Sequence, residues 1–418
     1  MKLKTKILSV ALLLAVAVSM LSSCYLLDLG LISNSSPSNQ DVTINTGDIN
    51  NYDVNIESKE DISTVAANKA LMSVVSVRAK FRRQSVGNYG SQAYSYSLGS
   101  GVIFRLSEDK SVAYILTNYH VIYNSSISSD ISVYLYGKEG YLYEEEDTMG
   151  CAIKAKYIGG SMAYDLAVLK VENSPVLMES DAVACDFADS DSVVVLEPAI
   201  AIGNAKGNGI SATLGRVNVD SEYISMLGPD DKTEISLRVM RTDAAVNNGN
   251  SGGGLFNSRG ELIGIVNAKI VDSTVDNIGY AIPSNVAKYI AENILFYCDG
   301  DSALTSVYRC MLGITVKAVG LYTEYDKENG VVMRRERIAI EAVASDAASS
   351  VKAALKADDI INSITIDGKE YKVTRMFHVV DTMLNARVDS SVVFNVTRGG
   401  ETLDVSLKLT QDMLTKSV

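Results

Sequence analysis

Tryptophan is absent from this 418-residue chain, and there are two histidines, His120 and His378. So few imidazoles nearly exclude a histidine-built zinc site. The five cysteines form no CxxC and no mixed Cys/His spacing, so no metal centre is expected. No cluster of Lys and Arg follows the first few residues, and the formal net charge is −12. A nucleic-acid partner needs a basic footprint, so none is expected. What the chain does have is apolar residues at 47%, enough for packed cores, and 22 tyrosines, which suit a β-rich fold.

The N-terminus reads as a targeting segment. Lys2, Lys4 and Lys6 precede a short apolar run over 7–18, followed by small residues. That is signal-peptide grammar over residues 1–23. The run is short for a membrane span, which needs ~20 apolar residues. Residues 24–66 are rich in Ser, Asn and Asp and read as a flexible tether, about 35 Å in root-mean-square span for a random coil. Of the other cysteines, Cys151, Cys185, Cys298 and Cys310, the last two are the nearer pair. Both a disulfide and free thiols fit that spacing.

From 67 to 300 the pattern is short strands between turns. Strands are predicted at 71–79, 101–106, 113–116, 132–136, 166–171, 193–202, 234–240, 262–266 and 279–282. One helix is convincing, at 283–295, with proline opening it and an apolar stripe at helical spacing. Closely spaced strands without long helices suggest barrels or sandwiches. A third region, 303–412, mixes strands at 360–366, 392–396 and 403–407 with helices at 347–355 and 376–387. Gly399-Gly400 signals a hairpin.

The chemistry gathers at Gly249-Asn250-Ser251-Gly252-Gly253-Gly254. A serine among glycines can be a nucleophile with its own oxyanion donors; it can also be a plain turn. A nucleophile needs a base and a group to orient it. His120 follows an apolar strand, where its side chain would sit at a rim. Asp165 lies between Tyr164 and the apolar run Leu166-Ala167-Val168-Leu169, a setting that buries a carboxylate. His378 falls in a predicted helix of the third region and reads as a surface residue. Gly249 to Gly253 also fits G-x-S-x-G, which in α/β-hydrolases opens a helix with acid and histidine following. Here the next residues read as strand, turn, strand, and both partners precede the serine. The order His–Asp–Ser is the chymotrypsin order.

These residues resemble the trypsin-like serine proteases of the HtrA (Do-like) group. The resemblance runs through Ser100-Gly101-Val102-Ile103, Thr117-Asn118-Tyr119-His120-Val121, Tyr164-Asp165-Leu166-Ala167, Ala201-Ile202-Gly203-Asn204, Thr242-Asp243-Ala244-Ala245, Gly249-Asn250-Ser251-Gly252-Gly253 and Gly279-Tyr280-Ala281-Ile282-Pro283. It covers the whole middle region in the family's order. It implies two six-stranded β-barrels, with His120 and Asp165 on the first and Ser251 on the second. It implies an oxyanion hole at Gly249, Asn250 and Ser251. Ala245 would form the base of the specificity pocket, with Asn267, Ala268 and Lys269 as another wall. Asn248, Gly254 and Ala205 stand where the family commonly has proline, which leaves the resting oxyanion loop in question.

Two further resemblances extend this reading. Leu21-Ser22-Ser23-Cys24 resembles a bacterial lipobox, which implies lipidation at Cys24 and an exported protein anchored to the outer face of a bacterial membrane. Met311-Leu312-Gly313-Ile314 resembles the carboxylate-binding loop of a PDZ domain, and the stretch 355–364 resembles a later PDZ segment, with Asp358 replacing a glycine. The expected fold is mostly β: a chymotrypsin-like double barrel followed by a small α+β PDZ-like domain. The expected function is a membrane-tethered serine endopeptidase that cleaves unfolded or misfolded exported proteins and recognises peptide C-termini, without a cofactor. The family implies trimers, although no trimer-forming motif stands out. The alternative is a peptide-binding chaperone or regulatory module with a latent protease.

Overall fold

The computed structural model describes residues 62–82, 94–138, 150–270, 278–298, 305–327 and 330–417. The expected signal peptide, Cys24 and nearly all of the tether lie outside these residues. The first described element is a helix, α1 (Ile62–Leu71). It overlaps the expected tether, whose boundary at 66 falls within it. Ala66 and Ala70 are buried, and Ala66 packs so close to the turn at Gly260 that an added Cβ there would lie 2.8 Å from the Ala66 carbonyl. The sequence hid this helix because half of its apolar residues are alanine.

Six strands close the first barrel: β1 (Val74–Arg82), β2 (Tyr94–Leu106), β3 (Val112–Thr117), β4 (Asp130–Leu135), β5 (Ile153–Ser161) and β6 (Leu166–Glu172). They run β5-β4-β1-β2-β3-β6, and β6 pairs back onto β5. The second closed barrel holds β7 (Pro198–Gly203), β8 (Ser211–Leu227), β9 (Glu234–Thr242), β10 (Gly254–Phe256), β11 (Leu262–Val266) and β12 (Gly279–Pro283), in the order β10-β11-β12-β9-β8-β7. The expectation of a mostly β fold with barrels is met. Sequence reading missed β5 and β8. β8 is bulged twice against β9 and mostly exposed along its length, so it carries no clean alternation.

The predicted helix forms as α2 (Ser284–Tyr297), with Pro283 just ahead of it at φ −56°. Its apolar stripe, Val286, Ile290 and Ile294, enters a core shared by both barrels: Leu116, Leu166 and Val168 from the first, Ile202, Phe256 and Ile265 from the second. Each such side chain contributes about 1.5–3 kcal/mol on burial, so the barrels cannot separate without exposing this core.

The third region leaves the first barrel as β13 (Thr305–Cys310), which lies parallel to β5 with Thr305 opposite Gly159. A separate sheet follows: β14 (Ile314–Asp326), β15 (Val331–Val343), β16 (Ile360–Ile366), β17 (Lys369–Lys372), β18 (Ser391–Arg398) and β19 (Glu401–Lys408). Two helices flank it, α3 (Ser349–Ala354) and α4 (Met376–Thr382). The chain then returns as β20 (Leu414–Ser417) to pair with β13. The Gly399-Gly400 hairpin forms as predicted, with both glycines at positive φ. Asn293 of α2 stitches the region down: its amide donates to the Tyr308 and Leu384 carbonyls and accepts from Tyr308 N–H.

His378 corrects the sequence reading. It is 8% exposed rather than on the helix surface, because α4 has two packed faces. One of them meets the second barrel across a buried charged seam. Arg238 of β9 lies 2.7 Å from Asp381 and 3.1 Å from Asp191, with its guanidinium 3.9 Å from the centre of the Phe377 ring. His378 Nδ1 accepts from Thr374 N–H at 3.1 Å, and burial pushes its imidazole toward the neutral form. For Asp381, burial outweighs the pull of Arg238 and lifts the carboxyl to about 6. A carboxyl raised on folding stabilises the fold when protonated, and that contribution is lost as pH rises through its folded value. We expect Asp381→Asn to flatten the stability change between pH 5 and 7, measured by thermal unfolding across that range; a slope equal to wild type would contradict it.

Candidate active site

β3 ends at Thr117, and a single helical turn, Tyr119–Ile122, carries His120. Asp165 lies at the start of β6 and is fully buried. Its carboxylate is surrounded by donors. His120 N–H reaches Oδ1 at 2.9 Å, His120 Nδ1 lies 2.6 Å from Oδ2, and Asn267 Nδ2 donates to Oδ2 at 2.8 Å. With Nδ1–H given to the carboxylate, Nε2 is left as the basic nitrogen of the ring. This is the relation of an orienting acid to a general base.

Ser251 sits in the loop between β9 and β10, and its carbonyls are clamped from outside. Lys206 N–H donates to Asn248 O (2.7 Å), Ser100 Oγ to Gly249 O (2.7 Å) and Ser100 N–H to Ser251 O (2.8 Å). Asn250 N–H is taken by Asn247 O, Gly252 N–H by Val266 O, and Gly253 N–H by Asn250 O. Among the described residues, Gly249 N–H and Ser251 N–H donate to no protein group. Two buried free amides, one residue apart beside a serine, are the donor pattern an oxyanion hole requires. Glycine is needed at 249: φ is 97°, and a Cβ would lie 2.2 Å from the Asn204 carbonyl. The missing prolines leave no slack here, because neighbouring strands supply the hydrogen bonds that fix the loop.

Ser251 Oγ itself accepts from Ala268 N–H at 3.1 Å. No hydrogen bond joins it to His120 Nε2 among the described residues. The serine hydroxyl and the histidine must therefore come into hydrogen-bond reach before the proton can pass.

The Trypsin-like peptidase domain family matches residues 99–265, a span containing His120, Asp165 and Ser251. The Do-like HtrA serine protease of Lactococcus lactis subsp. cremoris is 30% identical over 88% of this chain and 88% of its own length. That of Bacillus subtilis is 32% identical over 75% of this chain, which spans 63% of it. This chain belongs to the Do-like HtrA family of serine proteases. A solved structure described as the HtrA-type protease AlgW with tripeptide is 25% identical, covers 84% of this chain and 97% of its own, and superposes with a TM-score of 0.51.

Within this HtrA chain the other expected site residues divide. Ala245 is exposed, and its carbonyl accepts from Thr213 Oγ1 and Asn250 Nδ2. Ala268 meets the serine through its N–H; Lys269 Nζ is tied to Asp231 and the Gly228 carbonyl, both at 2.7 Å. Asn267 is corrected. It is fully buried and its amide serves Asp165 instead of lining a pocket wall. Sequence reading missed this because the only signal, an amide directly after an apolar strand, also fits a turn.

Met311, Leu312, Gly313 and Ile314 lie together at one end of an apolar groove of about 250 Å³ between β14 and α4. Leu312 N–H and Gly313 N–H are free of protein acceptors among the described residues, and Gly313 has φ 69°. The described cysteines are all free, so Cys298 and Cys310 are not joined. Burial pushes the Cys310 and Cys185 thiols up to about 12, which keeps them unreactive. Asn267→Ala should leave the buried Asp165 carboxylate short of a donor and lower kcat/KM by about tenfold or more; steady-state kinetics on a peptide substrate measure it, and an unchanged kcat/KM would refute the role.

Proposed function

We propose that this family member is an active endopeptidase whose triad is Ser251, His120 and Asp165. The observation that carries the reading is the conjunction of a buried His120–Asp165 pair with two free amides at Gly249 and Ser251. Ser251 Oγ attacks the scissile carbonyl as His120 Nε2 takes its proton. The tetrahedral oxyanion is held by Gly249 and Ser251 N–H, each donor worth about 3 kcal/mol in such sites. His120 then protonates the leaving amine, and water hydrolyses the acyl-enzyme. Asn250 supplies the turn between the two donors.

The groove at Met311, Leu312, Gly313 and Ile314 suits the C-terminus of an apolar peptide. Its free amides would meet the carboxylate, and β14 would pair with the peptide as an added strand. The substrates are unfolded or misfolded exported proteins, whose exposed extended segments can enter a cleft between barrels. The signal-like N-terminus and the Cys24 box support a location on the outer face of a bacterial membrane, with a lipid anchor joined to the enzyme by the stretch that follows. Assembly into trimers is part of the same proposal, by family likeness alone.

The parked Ser251 hydroxyl favours one second reading, a resting state that is latent until a ligand binds. Labelling with a fluorophosphonate separates the two. Wild type should label and cleave unfolded casein without added peptide, and Ser251→Ala should do neither. Labelling only after a C-terminal peptide is supplied would establish latency. Equal casein cleavage by Ser251→Ala would overturn the triad.

A further inference from the structure

Glycine has no Cβ to restrict its rotation, and at 249 it takes φ 97°. Something must hold its N–H in one direction. A peptide unit is planar and trans, so an N–H points opposite the carbonyl it is bonded to. The direction of Gly249 N–H is therefore set by Asn248 O on one side of the Cα and by the plane of Gly249 O on the other. Both carbonyls are held. Lys206 N–H donates to Asn248 O, and Ser100 Oγ donates to Gly249 O, each at 2.7 Å. On the second peptide unit, Asn250 N–H goes to Asn247 O within the loop, so Ser100 supplies its anchor to the first barrel. Ser251 N–H is held differently: the carbonyl of its own peptide unit, Asn250 O, accepts from Gly253 N–H inside the loop. The two free amides thus have separate supports, and a side-chain hydroxyl serves only the one at Gly249.

Ser100 is well fixed for such a task. It lies fully buried on β2, and each of its polar atoms is engaged. Its hydroxyl accepts from Asn204 N–H at 2.8 Å, which leaves the hydroxyl proton for Gly249 O. Its N–H donates to Ser251 O at 2.8 Å. Its carbonyl accepts from Thr117 Oγ1 at 2.7 Å, at the end of the strand that leads to His120. The barrels meet closely here: an added Cβ at Gly203 would lie 2.9 Å from Ser100 Oγ.

We propose that Ser100 is a positioning residue for the reaction: its hydroxyl keeps Gly249 in the rotation that presents Gly249 N–H to the oxyanion. The proposal rests on the reading of Ser251 as the nucleophile and of Gly249 N–H as an oxyanion donor. Ser100 acts through Gly249 and not on the substrate. Its hydroxyl bonds go to Gly249 and Asn204, and neither goes to His120 or Asp165. Removing the hydroxyl frees the Gly249 carbonyl and leaves the buried Asn204 N–H without its acceptor. One oxyanion donor then points correctly only part of the time, while the base and its carboxylate keep their geometry.

The test uses the full chain with Ser100→Ala, Ser100→Cys and Ser100→Thr, each checked by thermal unfolding. Ser100→Ala should lower kcat by about tenfold or more, with KM changed by less than about twofold. Affinity for a peptidyl aldehyde of the substrate's sequence should fall by the same factor, because its adduct with Ser251 puts an oxygen in the hole. The acid limb of the pH–rate profile should stay at its wild-type position, since the His120–Asp165 pair is untouched. Ser100→Thr keeps the hydroxyl and should be faster than Ser100→Cys, whose thiol is a weak donor. That comparison decides the matter if Ser100→Ala does not fold. Full kcat in Ser100→Ala would overturn the proposal. So would a slowed variant that binds the aldehyde as wild type does, a shifted acid limb, or a Ser100→Cys as fast as Ser100→Thr. Ser251→Ala run alongside separates the failures: residual cleavage there sinks the nucleophile, whereas an inactive Ser251→Ala beside a fully active Ser100→Ala sinks only the role of Ser100.

Discussion

A carboxylate taken fully out of water needs protein donors in place of the water it loses. Asp165 meets that demand by recruiting across the molecule. His120 comes from the turn after β3, Asn267 from the end of β11 in the other barrel, and Asn118 and Tyr119 hold the backbone beneath. The barrels must close on each other for these donors to converge. Ser100 extends the same logic to the serine loop. Its hydroxyl donates to Gly249 O while accepting from Asn204 N–H, and its amide donates to Ser251 O. One first-barrel residue thus fixes the loop of the second, which is why the loop holds its shape without the expected prolines.

The parts of this arrangement legible in the sequence are those written locally. Ser251 stands in a glycine run that only a tight, positive-φ loop requires. His120 and Asp165 each adjoin an apolar strand of unmistakable pattern. Strands β3, β6, β11 and β12 were readable for the same reason: their side chains are buried on both faces and form unbroken apolar runs. Where burial is one-sided or interrupted, the pattern fades. β5 contains Gly159-Gly160 and two lysines, and β14 with β15 forms a long ribbon whose outer half is largely exposed. Asn267 and His378 were misread because their roles lie in partners distant along the chain. Nothing near Asn267 says that Asp165, 102 residues earlier, will need its amide.

The same distinction bears on how the third region works. α4 turns two faces to different neighbours. Val379 and Val380 border the apolar groove, while His378 and Asp381 enter the charged seam against Arg238 of the second barrel. A desolvated ion pair contributes little net stability, because the cost of removing both charges from water offsets their attraction. Its stronger effect is on geometry: Arg238 lies close to Asp191 and Asp381 together, which couples the placement of α4 to the second barrel. The wall of the groove is therefore set by the protease barrels. Tyr164 borders the groove beside Arg309 and immediately precedes Asp165. A chain that had merely appended a binding domain would have no reason to bury an arginine, an aspartate and a histidine at the junction. These contacts tie the wall of the groove to the second barrel.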